Sequence, residues 1–148
     1  MAAVAAIDLQ GRVVTLLLKP MSIKQGNFVE FLIKLGRRMN KQRTHVVLDN
    51  LNAHYGPAVT DKAKDYNLVL HYNPTYSSHL NPIERLWALA KRQFIKDCAT
   101  DSDFANQAEV EAFVGKCIMT ASRETLEKHV YGCLRLMIKE LAEATESV

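Results

Sequence analysis

Residues 46–59, VVLDNLNAHYGPAV, carry the reading on which the fold turns. Three apolar residues run straight into Asp49 and Asn50, and His54 follows five positions after the aspartate. Taken with His45, residues 45–48 form a short, mostly β-branched run that predicts a strand. A strand that ends on a carboxylate is either stopping at a turn or presenting a group that carries chemistry. The stretch alone leaves both open.

Working outward, Pro57 suits the first turn of a short helix over 57–66. LVLHY, 68–72, predicts another strand, and NPTYSSHLNP, 73–82, is a loop of turn-forming residues. IERLWALAKRQFIK then predicts a helix. Upstream, residues 3–7 and 12–18 predict two strands joined by a tight turn at DLQG, with Gly11 supplying the backbone freedom and Pro20 ending the second. Between these strands and the opening stretch, Phe28, Phe31, Leu32, Leu35 and Met39 form one apolar stripe, which predicts a helix over 27–40. Asn27 with Glu30 has the form of a capping box at its start. From about 101 onward the chain reads as helical. Phe104, Val110, Phe113 and Val114 mark one amphipathic segment, and Leu134, Met137, Ile138 and Leu141 another. The order strand, strand, helix, strand, helix, strand, then helices is that of an α/β fold.

At 148 residues the chain predicts one compact domain, with 48% hydrophobic and 24% charged residues, the balance of a globular protein. No apolar run approaches the roughly 20 residues of a membrane-spanning helix, and the start lacks the pattern of a signal peptide. The expectation is a cytoplasmic protein with no membrane partner. Cys98, Cys117 and Cys133 form no CxxC pair, which argues against a disulfide framework and a zinc cluster. A formal net charge of +3 hints at a polyanionic partner but does not stand alone.

Two carboxylates are the candidates for chemistry. Asp49 stands at the C-terminal end of its strand, where open α/β sheets place ligand sites. Glu84 follows Asn81 and Pro82 at the start of a helix, so NPIE also reads as a cap with Asn81 at N-cap, Pro82 at N1 and Glu84 at N3. If the strand end and the helix start share a cleft, two hard carboxylates suit Mg²⁺ or Mn²⁺, with a two-ion site requiring a further acid. Arg85, Lys91, Arg92 and Lys96 lie on the same helix, where Arg85, Arg92 and Lys96 share a face. That face suits a phosphate backbone, or is simply a solvated surface. Arg37, Arg38, Lys41 and Arg43 form a second basic cluster open to the same two readings. His54 either orients a group near Asp49 or binds phosphate, or is a satisfied, partly buried histidine. His71 and His79 read as strand and loop residues, and Trp87 as core. Tyr76 either packs over the helix start or faces nucleic acid.

The segment VVLDNLNAHYG…LVLHYNPTYSSHLNPIERLWALAKRQF, with 34 residues between Asp49 and Glu84, resembles the catalytic core of the DDE-type transposases of the mariner superfamily, in its bacterial insertion-sequence branch. The likeness covers roughly residues 4–96 and is most specific from the P-x-Y-S loop through LNPIE and the tryptophan. It implies an RNase H-like mixed sheet with flanking helices, the partial catalytic core spanning 1–98 and a C-terminal helical extension spanning 99–148. It implies Asp49 and Glu84 as the second and third catalytic and metal-binding acids, with Asn50, His54, Tyr76, Asn81 and Pro82 as supporting residues. It implies metal-dependent strand cleavage and strand transfer on double-stranded DNA, at transposon ends and target sites.

The resemblance also defines two departures. The family's first acid lies on a central strand upstream of the hairpin, whereas Asp8 stands at the hairpin turn. The family's N-terminal helix-turn-helix has no counterpart here. The expectations are a chain truncated at its N-terminus and a sheet lacking its first central strand, with open edges that invite pairing with another chain. A homo-oligomer, or a chain supplying the missing part, is the expected partner. Low catalysis by this chain alone follows. The competing functions are a non-catalytic remnant or accessory module that binds DNA or protein, and a metal-dependent nuclease with another substrate.

Overall fold

The structure, a computed structural model, describes residues 1–98 and 104–146. Strands β1 (Ala2–Ile7) and β2 (Val13–Lys19) form an antiparallel hairpin whose register shifts between Ala6 and Ile7. At its turn Gly11 adopts φ +71°. A Cβ there would fall 2.4 Å from the Arg123 carbonyl oxygen, so glycine is required both by conformation and by close approach. Asp8 accepts hydrogen bonds from the Arg12 backbone at 2.9 Å and from Arg12 Nε at 2.6 Å. Partial burial pushes its carboxyl up, but the bonds from Arg12 outweigh it and the net pKa is lowered.

Helix α1 (Gln25–Arg38) follows, then β3 (Thr44–Leu48), α2 (Pro57–Asp65) and β4 (Leu68–Tyr72). Strands β3 and β4 pair in parallel, and α2 supplies the crossover that a parallel pair requires. Helices α3 (Ile83–Cys98), α4 (Gln107–Met119) and α5 (Arg123–Glu146) complete the described chain. Three sequence expectations shift. Helix α1 begins two residues earlier than its stripe suggests, so Asn27 is not the N-cap. It sits at N3, its side chain accepting from the Lys24 backbone N–H at 3.0 Å. Glu30 instead pairs with Lys19 at 2.7 Å and with Lys34 at 3.2 Å. In α5 the buried residues are Leu126, Val130 and Cys133, while Ile138 and Leu141 face outward. The expected boundary between core and helical extension, between residues 98 and 99, borders residues 99–103, which lie outside the described residues.

Two apolar clusters explain the sequence pattern. One face of the hairpin, with Val4, Ala6, Val14 and Leu17, packs on α1. The other, with Ala3, Ala5, Ile7, Leu16 and Leu18, packs with Leu86, Ala90, Cys117, Ile118 and Leu126 of the later helices. A sheet covered on both faces needs apolar residues at consecutive positions, which is why LLL appears where alternation is otherwise expected. The β3–β4 pair is covered on one side, by Val46, Leu48, Leu68 and Leu70 against the α1 cluster. His45 and Val47 on β3 are exposed, and His45 Nδ1 lies 2.8 Å from His71 Nε2 across the pair.

Among the described residues the strands form two separate two-stranded sheets, not one. Each of β1 and β3 is paired on one side, leaving its other edge open. Helix α1 spans the division: its buried Phe28, Phe31, Leu32 and Leu35 share one cluster with Leu17 of the hairpin and with Leu48 and Leu68 of the parallel pair. No helix among the described residues is long and apolar enough to cross a membrane. The three cysteines are free, and all lie on helices.

Candidate functional site

The ladder of the parallel pair continues one step past the strands, where Asn73 N–H donates to the Leu48 carbonyl at 2.8 Å. Beyond it, the Asn50 side-chain amide donates to the Asn73 carbonyl. These two bonds clamp the C-terminal ends of β3 and β4 together and set Asp49 between them. The Asp49 side chain is 54% exposed. His54, in a short 3₁₀ turn at 52–54, is buried at 8% exposure with its ring 4.1 Å from that of Phe28. Its Nδ1 lies 2.8 Å from Asp49 Oδ1. An ionised carboxylate only accepts, so Nδ1 carries the hydrogen and donates. His54 is thus a packed histidine whose Nδ1 bonds the Asp49 carboxylate.

The approach of Glu84 has a different cause. The 73–82 loop ends in a 3₁₀ turn at 78–80, anchored by buried Leu80 and Asn81. Helix α5 holds this turn from outside: the Cys133 thiol donates to the His79 carbonyl at 3.5 Å, and His79 Nε2 lies 3.1 Å from Glu140 Oε1. Helix α3 then starts with Leu86 fully buried and Ile83 packed beside it, which turns Glu84, on the other face of the first turn, outward. The Asn81 side chain accepts from Ile83 N–H at 3.4 Å, a long half of the expected cap. The reciprocal half is absent, because Asn81 N–H donates to the Ser78 carbonyl at 3.0 Å instead of to Glu84. Among the described residues nothing holds the Glu84 carboxylate.

Asp49 and Glu84 consequently line one open pocket of about 250 Å³, together with Asn50, Tyr76, Ser78 and Asn81. Asn73 also contributes to the wall. It is the one buried side chain among the described residues whose amide nitrogen lacks a partner. The donor set fits a hard divalent cation: two carboxylates, with neutral amide and hydroxyl oxygens around them. Among the described residues no group of three or more His, Cys, Asp or Glu side chains assembles to hold a metal. Asp8 is at the hairpin turn, tied to Arg12.

Arg85, Lys91, Arg92 and Lys96 are exposed on α3, and none of them is in an ion pair among the described residues. Trp87 packs in the second apolar cluster, as expected of a core residue. The second basic cluster begins with Arg37 and Arg38 at the far end of α1, about 15 Å along the helix from Phe28, which packs on His54. Two residues near the site were not among the expected site residues: Tyr55 and Tyr72, whose rings stack at 4.5 Å. Tyr72 donates to the His54 carbonyl at 2.8 Å, and Tyr55 donates to the Asn50 side-chain oxygen. Both support the residues flanking Asp49. The available signal was their position, one at the end of β4 and one just after His54.

The packing of His54 leads to an expected result. His54→Ala removes a buried ring and the donor to Asp49, and lowers stability by about 1–3 kcal/mol in a urea titration. An unchanged midpoint would mean that the imidazole does not hold this region together.

Comparison with known proteins bears on this arrangement. The family described as DDE superfamily endonuclease matches residues 1–105. Among solved structures, a pre-cleavage Mos1 transpososome aligns with TM-score 0.70 at 17% identity, over 95% of this chain and 43% of that one. A Mos1 transposase paired-end complex with left transposon end aligns with TM-score 0.67 at 20% identity, over 88% of this chain and 39% of that one. The Mos1 transposase catalytic domain solved with raltegravir and Mg aligns with TM-score 0.62 at 17% identity, over 84% and 65%. This chain thus spans about two fifths of the length of the longer structures it matches. At these identities the likeness establishes the fold, the RNase H-like arrangement of that catalytic domain with helices following it. None of the curated proteins compared matches the sequence.

Proposed function

Because this chain belongs to the DDE superfamily endonuclease family, we propose that it is a transposase catalytic domain of the mariner superfamily, in the bacterial insertion-sequence branch. Its chemistry is metal-dependent cleavage and transfer of DNA strands. The observation that carries the reading is the shared pocket of Asp49 and Glu84. They reach it from opposite directions, a strand end and a helix start, and Glu84 is not consumed by capping. In this reading the two carboxylates hold Mg²⁺ or Mn²⁺. When bound, such an ion supplies Lewis-acid stabilisation of charge at a phosphoryl group. His54 holds the Asp49 carboxylate in one orientation, and the Asn50–Asn73 clamp fixes the strand end beneath it. Arg85, Lys91, Arg92 and Lys96 supply cations for a duplex backbone, at transposon ends and at target DNA.

Completion of the acid set falls to a strand that pairs with the open edges of β1 and β3. Such a strand comes from a segment or chain beyond these residues, or from an oligomer. Asp8, the one acid ahead of α1, is held at the hairpin turn by Arg12. That placement favours a second reading for the chain in isolation, binding DNA without cutting it.

The test is a calorimetric titration of the folded protein with Mn²⁺. The expected result is saturable heat from binding. A folded sample that gives none overturns the metal-site reading.

A further inference from the structure

Tyr76 stands apart from every other exposed aromatic residue of the chain. Its relative exposure is 102%, so its ring makes no packing contribution to the fold. It lines the rim of the pocket that holds Asp49 and Glu84. Its backbone has φ +62°, in the left-handed region. For an L-residue with a bulky side chain this conformation is unfavourable, and turns that require it ordinarily use glycine or asparagine. The other non-glycine residues with positive φ among the described residues are Asn40, Lys41 and Asn67, which directly follow the C-terminal ends of α1 and α2. Left-handed residues are the normal way to stop a helix. Tyr76 has no helix to stop. It occupies a turn corner between β4 and the 78–80 turn.

A strained corner that displays an apolar ring to solvent contributes nothing to stability. The ring is amphipathic and rigid, and it shares a pocket with two carboxylates, one of which opens the helix whose exposed cations form no ion pair among the described residues. A nucleic-acid base presents a flat π-face to match it, and stacking on such a ring needs no particular base identity. Resting on the function proposed above, we propose that the Tyr76 ring stacks on an unpaired base next to the phosphodiester group bound at the Asp49–Glu84 pocket. Tyr76 is then a substrate-positioning residue. It holds the strand at the point where the duplex opens, and the basic face of α3 grips the backbone.

The probe is a single-stranded oligothymidylate carrying one 2-aminopurine, titrated with the full chain in Mn²⁺ at several salt concentrations. Wild type and Tyr76→Phe should quench the probe with equal affinity. Tyr76→Ala and Tyr76→Gly should bind about 5- to 100-fold more weakly, with most of the quenching lost. Their salt dependence should match wild type, because no phosphate contact has been removed. Tyr76→Gly should also melt about 2–8 °C higher, because glycine accepts the left-handed corner without strain. Loss of binding with a gain in stability is what a purely structural residue does not produce.

Wild-type affinity and quenching in Tyr76→Ala would overturn the stacking role and leave the endonuclease reading standing. No DNA binding by folded wild type would overturn both. A lower melting temperature in Tyr76→Gly would show that the ring supports the fold, against the inference. So would unchanged DNA binding in Tyr76→Ala accompanied by loss of self-association, which would make the ring a protein contact.

Discussion

Replacing Leu32 by alanine is expected to lower stability by about 3–5 kcal/mol, the upper part of the range for a buried leucine. The magnitude follows from position. Leu32 is 0% exposed at the middle of α1, in the cluster that joins Leu17 of the hairpin with Leu48 and Leu68 of the parallel pair and Val59 of α2. The two sheets share no ladder among the described residues, so side-chain packing on α1 takes the place of backbone hydrogen bonds between them. A cavity at Leu32 therefore weakens contacts to both sheets at once, and neither can shift to fill it without leaving its own pairing. Against a total stability of about 5–15 kcal/mol typical of a domain, the loss is a large fraction. Chemical denaturation of Leu32→Ala beside Leu32→Met measures it. The methionine variant conserves volume and should lose less than about 1.5 kcal/mol. A loss below about 1 kcal/mol in the alanine variant would mean that the two sheets do not depend on α1 for their association.

The largest functional effect is expected at Glu84. Glu84→Gln keeps the size and shape of the side chain and removes its charge. Because nothing else in the described structure holds this carboxylate, the change should reach the fold only through the helix terminus. An acid in the first turn of α3 is worth about 0.3–1 kcal/mol, and the variant should lose no more than that. Its Mn²⁺ affinity should fall by more than about tenfold, since one of two anionic ligands is gone. Asp49→Asn should show a similar loss of metal binding. Its remaining carbonyl oxygen still accepts from His54, so its melting curve should stay near wild type. Calorimetry and thermal melts on the same samples separate the two effects. Wild-type Mn²⁺ affinity in Glu84→Gln would reduce Glu84 to a residue that favours the start of a helix.

The site was legible in part. Asp49 at a strand end and Glu84 at a helix start were readable because strand and helix boundaries leave local marks, such as apolar runs and turn residues. Whether Glu84 closes a capping box was not readable. It depends on where Asn81 N–H finds its acceptor, and that acceptor, the Ser78 carbonyl, exists only once the 78–80 turn has formed. His54 shows the same limit. Its neighbours in sequence say nothing of Phe28, whose ring packs tilted against it from 26 positions upstream. The α5 stripe was misplaced because leucine and isoleucine mark an apolar face without saying whether a partner covers it. Leu126, Val130 and Cys133 have one, and Ile138 is exposed.

By itself, the sequence determined the order of the elements, their type and the family to which the chain belongs. Those properties reside in local periodicity and in a motif whose residues lie close together along the chain. Only the tertiary structure decided that the strands divide into two sheets bridged by α1. It also decided that Asp49 and Glu84 line one pocket, and that Tyr76 turns its ring to solvent at the rim. Each of these is set by contacts between segments far apart in sequence. Such contacts form where packing and hydrogen bonding together outweigh the chain entropy of closing the loops between them. No short window of residues contains that balance.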